Sequence, residues 1–131
     1  MAFPANSNQM YLFQPHSRAA GTYHSQQIYT GRDIVGCRLF VKLWARTGGS
    51  LTVAYSAYNE IEGWYEPLPQ YTELYLPAPM AVDTWIMCLH PGNNNSSSSS
   101  GMAAAIRLPH VGRVSVANTG TQTYSIVAEF Y

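Results

Sequence analysis

"GCRLFVKLW", residues 36–44, alternates strictly in character. Cys37, Leu39, Val41 and Leu43 fall on one side of an extended chain, and Arg38, Phe40, Lys42 and Trp44 on the other. Apolar residues spaced by two share a face only on a β-strand, because a helix would scatter them around its circumference. The first set is therefore read as core. The second mixes cations with large rings, which suits a half-exposed face.

The same period runs outward from this strand. "TGGS" (47–50) is a turn, and "LTVAYSAYN" (51–59) places Leu51, Val53, Tyr55 and Ala57 on one face. "EIEG" (60–63) turns the chain into "WYEPL" (64–68), a short strand stopped by Pro67 and Pro69. Pro77 and Pro79 leave "YTELYLPAP" (71–79) as a poor edge strand or a loop. "TWIMCLH" (84–90) is a strand ended by Pro91-Gly92. The tract "PGNNNSSSSSG" (91–101) has nothing to bury and reads as a surface loop. A further strand lies around Gly112 to Ala117, "TGT" (119–121) turns, and "QTYSIVAEFY" (122–131) points Tyr124, Ile126, Ala128 and Phe130 inward. Upstream, "GTYHSQQIY" (21–29) reads as one strand. "GMAAAIR" (101–107) allows one helical turn at most.

Many short alternating strands joined by Gly, Asn, Ser and Pro predict an all-β fold. The expected architecture is an antiparallel β-sandwich, jelly-roll-like, of about seven or eight strands. It occupies residues 21–131. Residues 1–20 lack periodicity but carry Phe3, Tyr11, Leu12 and Phe13, too many large apolar groups for a purely solvated tail. They are expected to form an extended N-terminal arm, with those four residues as contacts to a partner.

At 131 residues the chain suits one domain with a real core. Only 11% of residues are charged, against about 25% in an average protein. Ser, Thr, Asn, Gln and Tyr take their place, as suits a surface packed against neighbours or glycans. Seven basic and seven acidic residues balance, and the basic ones are dispersed, so no nucleic acid is expected as a partner. No run approaches the roughly 18 apolar residues of a membrane span. The N-terminus lacks the basic start and apolar run of a signal peptide, so the expected place of synthesis is a cytosol. Cys37 and Cys88 lie within apolar strands and read as small buried hydrophobes without a disulfide.

Catalytic chemistry is poorly represented. Glu60 and Glu62 share a hairpin tip where water would keep both carboxylates ordinary. His16, His24, His90 and His110 show no metal-ligand spacing, and no nucleophile elbow, phosphate loop or dinucleotide fingerprint occurs. No enzyme activity, metal or cofactor is expected. Trp64-Tyr65, with Tyr55, Tyr58 and Tyr71 nearby, could stack on sugars. The favoured expectation is that they begin the return strand of a hairpin and cover neighbours such as Tyr55 or Ala57.

The order of elements from 21 to 131 resembles a family of small virion structural proteins of tailed phages. The resemblance is carried by Ser25-Gln26-Gln27-Ile28, Gly36-Cys37-Arg38-Leu39-Phe40-Val41, Ser50-Leu51-Thr52-Val53 and Trp64-Tyr65-Glu66-Pro67-Leu68. It continues through Leu89-His90-Pro91-Gly92, the run from Leu108 to Val116, and Thr123-Tyr124-Ser125-Ile126. His90 stands where the family pattern has Tyr, and Gly112 where it has an aromatic or polar residue. The resemblance implies a capsid decoration or cement protein on the phage head, made in the host cytoplasm. Its implied partners are the major capsid protein and further copies of itself, for instance as a trimer. A carbohydrate-binding module and a tail or baseplate accessory are the rival expectations.

Overall fold

The computed structural model describes residues 9–46, 48–68, 73–76, 83–98 and 101–131. These form twelve strands and no helix: β1 (Gln9–Arg18), β2 (Gly21–His24), β3 (Ile28–Tyr29), β4 (Cys37–Arg46), β5 (Leu51–Asn59), β6 (Trp64–Pro67), β7 (Glu73–Leu76), β8 (Thr84–Leu89), β9 (Ser96–Ser98), β10 (Gly101–Ala104), β11 (Val111–Asn118) and β12 (Gln122–Phe130). One six-stranded sheet has the order β1-β12-β4-β8-β10-β9. The other runs β2-β11-β5-β6, with β3 also on β11 and β7 also on β5. The chain passes repeatedly from one sheet to the other, so the hydrophobic faces of both are built from sequence-distant strands.

The alternation of Gly36–Trp44 survives intact. Cys37, Leu39, Val41 and Leu43 are completely buried, as are Leu51, Val53, Tyr55, Tyr124, Ile126 and Ala128. Truncating any of the large aliphatic groups to Ala would cost about 2–5 kcal/mol through lost burial and a residual cavity. Val114 and Val116 on β11 close the core from the second sheet.

The expected boundary at residue 20 does not separate an arm from a domain over the described residues. Gln9–Arg18 forms β1, antiparallel to β12, from Gln9 opposite Glu129 to Arg18 opposite Gln122. Its pairing shifts twice, between Tyr11 and Phe13 and between Phe13 and His16. These irregularities erased the period-two signal. Arg18 takes up carbonyls of the irregular stretch, donating to Gln14 O (3.0 Å) and His16 O (3.1 Å), and also to Tyr124 O (3.0 Å). Its guanidinium lies 4.4 Å from the centre of the Tyr124 ring.

Three other expectations change in detail. Residues 21–29 form two strands, because Ser25 breaks the ladder: its own N–H reaches Val114 O (2.8 Å), while its hydroxyl accepts from Val114 N (2.9 Å). The serine tract is not wholly loop, since Ser96–Ser98 pairs antiparallel with Gly101–Ala104. That second segment in turn runs parallel to β8. Of "YTELYLPAP", Glu73–Leu76 is a strand on β5; its flanking residues lie outside the described ones.

Candidate functional site

The hairpin joining β5 to β6 carries the most exposed apolar group described in the chain. Ile61 at its tip is 96% exposed, and Trp64 at the start of β6 is 51% exposed. Asn59 builds the tip. Its Oδ1 accepts from Ile61 N (3.1 Å) and Glu62 N (3.0 Å), and its Nδ2 donates to Glu66 Oε2 (2.8 Å) and Glu62 Oε1 (3.3 Å). A side-chain amide that mimics the turn backbone is the local reason an Asn sits here. Gly63 completes the turn at φ 81°, a conformation that disfavours a side chain, while its N–H donates to Asn59 O (2.7 Å). The two carboxylates are thereby committed to organising the tip, which presents Ile61 outward on a fixed base.

Beside the tip, the outer face of the β2-β11-β5-β6 sheet carries rings and one cation. Tyr58 and Tyr65 are opposite each other across β5 and β6, with ring centres 5.0 Å apart. Arg113 of β11 lays its guanidinium 3.8 Å from the centre of the Tyr65 ring. The Tyr65 hydroxyl accepts from Gln27 Nε2 (2.8 Å), and Gln27 Oε1 in turn accepts from the Tyr29 hydroxyl. His24 shares a hydrogen bond with Ser115 Oγ (2.8 Å). Burial, then the positive charge of Arg113, hold its imidazole below the usual histidine range.

The expected hairpin therefore exists, but its rings do other work than anticipated. Tyr55 faces the core and is fully buried, so it cannot meet Tyr65, which packs on Tyr58 instead. Trp64 remains half in water. The signal that would have located this arrangement is parity: Tyr58 and Tyr55 are three residues apart on one strand and must face opposite ways.

The expected contact residues of the first segment fare differently. Phe3 lies outside the described residues. Phe13 is buried, 5.9 Å from the Tyr124 ring centre, within the chain's own core. Leu12 is partly buried against that core. Of the three described, only Tyr11, 47% exposed, offers a ring outward. His90 and His110 serve local structure: His90 stacks on Tyr131 with ring centres 5.1 Å apart, and His110 Nδ1 donates to Thr30 O (2.8 Å). Among the described residues no three of His, Cys, Asp and Glu gather closely enough to hold a metal ion.

No family model and no curated protein matches this chain. Among solved structures, one titled "Crystal structure of PirA" is similar over 99% of this chain and 97% of that chain, at 14% identity and a TM-score of 0.44. A likeness at that level carries no conclusion about fold or role.

Proposed function

We propose that this chain is a virion structural protein of a tailed phage, a capsid decoration or cement protein that docks on the major capsid protein and stabilises the head. The observation that carries this is the tip: Ile61, 96% exposed on a turn locked by Asn59, with Trp64 beside it. An exposed isoleucine gains about 1.5–3 kcal/mol when a partner buries it. A rigid tip loses little entropy on docking. Repeated over a capsid lattice, such modest contacts add up through multivalency. The low proportion of charged residues fits the same use, since few ions need be stripped of water at the contact.

The winding supports a jelly-roll-like sandwich. Counted with β2 and β3 as one strand, β6 and β7 as one, and β9–β10 as an insertion, eight strands interleave. Their order is first-eighth-third-sixth in one sheet and second-seventh-fourth-fifth in the other. Sandwiches of that type serve both viral shells and lectins. The half-exposed Trp64 and the Tyr58–Tyr65 pair accordingly favour one second reading, a carbohydrate-binding module.

The test is co-sedimentation of the tagged protein, and of its Ile61→Asp variant, with phage particles depleted of it. Wild-type binding to heads, lost in the variant, is the expected result. Particles that never take up the protein overturn the proposal, and quenching of Trp64 fluorescence by a glycan in place of head binding establishes the second reading.

A further inference from the structure

The outer face of the six-stranded sheet carries an apolar row that crosses four strands. Tyr11 of β1 stands opposite Val127 of β12, Val127 opposite Phe40 of β4, and Phe40 opposite Ile86 of β8. Tyr11 and Ile86 are exposed, and Phe40 and Val127 are half-buried. One rung along the strands, Glu129 of β12 faces Arg38 of β4, joined by a 2.9 Å ion pair. Beyond Ile86 the next position in the row is Gly101. A Cβ there would stand 2.0 Å from the Ile86 carbonyl, so the site can hold no side chain. A shallow hollow opens there, bounded by Ile86, Gly101 and the β9 serines.

This pattern is symmetric about a line running between β12 and β4, parallel to the strands. A two-fold axis on that line, lying in the contact plane, exchanges β12 with β4 and β1 with β8. Val127 then meets the Phe40 of another copy, Glu129 meets its Arg38, and the Tyr11 ring enters the hollow beside its Ile86. Val127 and Phe40, Glu129 and Arg38, and Tyr11 and the hollow beside Ile86 are each paired with their complement, as an isologous contact requires. A two-fold axis along the row itself would instead set Arg38 against Lys42. We infer that this face binds a second copy of the same chain, forming a face-to-face dimer whose centre packs Val127 and Phe40 beside a four-member ring of Glu129 and Arg38 side chains. Sheets packed in this way lie about 10 Å apart, within reach of both side chains. The contact leaves the Ile61 tip free on the other sheet and does not depend on a capsid partner.

The test is sedimentation equilibrium of the full chain from micromolar to near-millimolar concentration, with circular dichroism as the check on folding. Wild type is expected to reach the mass of a dimer. Glu129→Arg makes all four charges positive and Arg38→Glu makes all four negative, so each variant alone is expected to lose the dimer. Mixed in equal amounts, the two are expected to regain it, because each then supplies the sign the other needs. Ile61→Asp, on the opposite sheet, is expected to leave the dimer intact. Wild type that stays monomeric, a trimer mass, or folded variants whose mixture fails to re-associate would each overturn the inference. If a charge reversal does not fold, Tyr11→Ala provides the same reading through loss of the dimer.

Discussion

The guanidinium of Arg113 lies 3.8 Å from the ring centre of Tyr65 although their strands are not neighbours. Strand β5 lies between them, with Ser56 opposite Arg113 and Tyr58 opposite Tyr65. The long arginine spans the diagonal over the small Ser56. Removing either partner is expected to weaken the other's contribution. A double-mutant cycle of Arg113→Ala and Tyr65→Ala, followed by urea unfolding, should give a coupling of about 1 kcal/mol. A coupling near zero would show the stack to be incidental.

Asn118 is buried at the end of β11, and the two protons of its Nδ2 are shared among Arg18 O (3.1 Å), Ala19 O (2.9 Å) and Gly120 O (2.9 Å). One amide therefore ties the β1–β2 corner to the β11–β12 turn. Asn118→Ala strands those carbonyls and is expected to cost about 2–3 kcal/mol. Asn118→Asp, which keeps the shape but loses the donor and buries a charge, should cost more. Equal stability of the Asp variant and wild type would contradict this account.

Cys37 and Cys88 are on adjacent strands yet face opposite sides of the sheet, since Arg38 is the residue opposite Cys88. Both are free. Burial pushes the Cys37 thiol from 9.0 up to about 12, and burial likewise pushes the Tyr124 phenol from 10.0 up to about 12. These groups stay protonated in the fold while the unfolded chain ionises first. The Cys37 contribution is whole below pH 9.0 and the Tyr124 contribution below pH 10.0, and each is lost from there as pH rises towards 12, with a limiting slope of about 1.4 kcal/mol per pH unit for each group. Thermal melts across that range should show the fall, and Cys37→Ala should delay its onset. A thiol reagent at neutral pH is expected to modify Cys88 first and Cys37 only after unfolding.

Gly112 has no room for a side chain. A Cβ would stand 2.6 Å from Ser56 O and 2.7 Å from Tyr55 Cε1. The carbonyl belongs to the neighbouring strand and the ring fills the core, so neither yields cheaply. Gly112→Ala is expected to cost about 1–3 kcal/mol by overpacking, read from the shift in urea midpoint. Tyr55→Leu should relieve part of the penalty, and full additivity of the two changes would argue against the clash.

The inward set Cys37, Leu39, Val41 and Leu43, its counterparts on β5 and β12, and the all-β class could be read directly along the chain. Side-chain direction in a strand has a period of two, and that is a local property. The same rule failed from Gln9 to Arg18 because bulges there reset the parity, and a bulge leaves no mark in composition. It also split residues 21–29, where one serine hydroxyl replaces a ladder bond. Pairing is not local at all. That Tyr11, Val127, Phe40 and Ile86 form one row, or that Arg113 covers Tyr65, depends on which strands become neighbours across more than a hundred residues of chain. Only the folded sandwich brings those separate alternations into register, so exposed rings that look scattered along the sequence become two distinct surfaces.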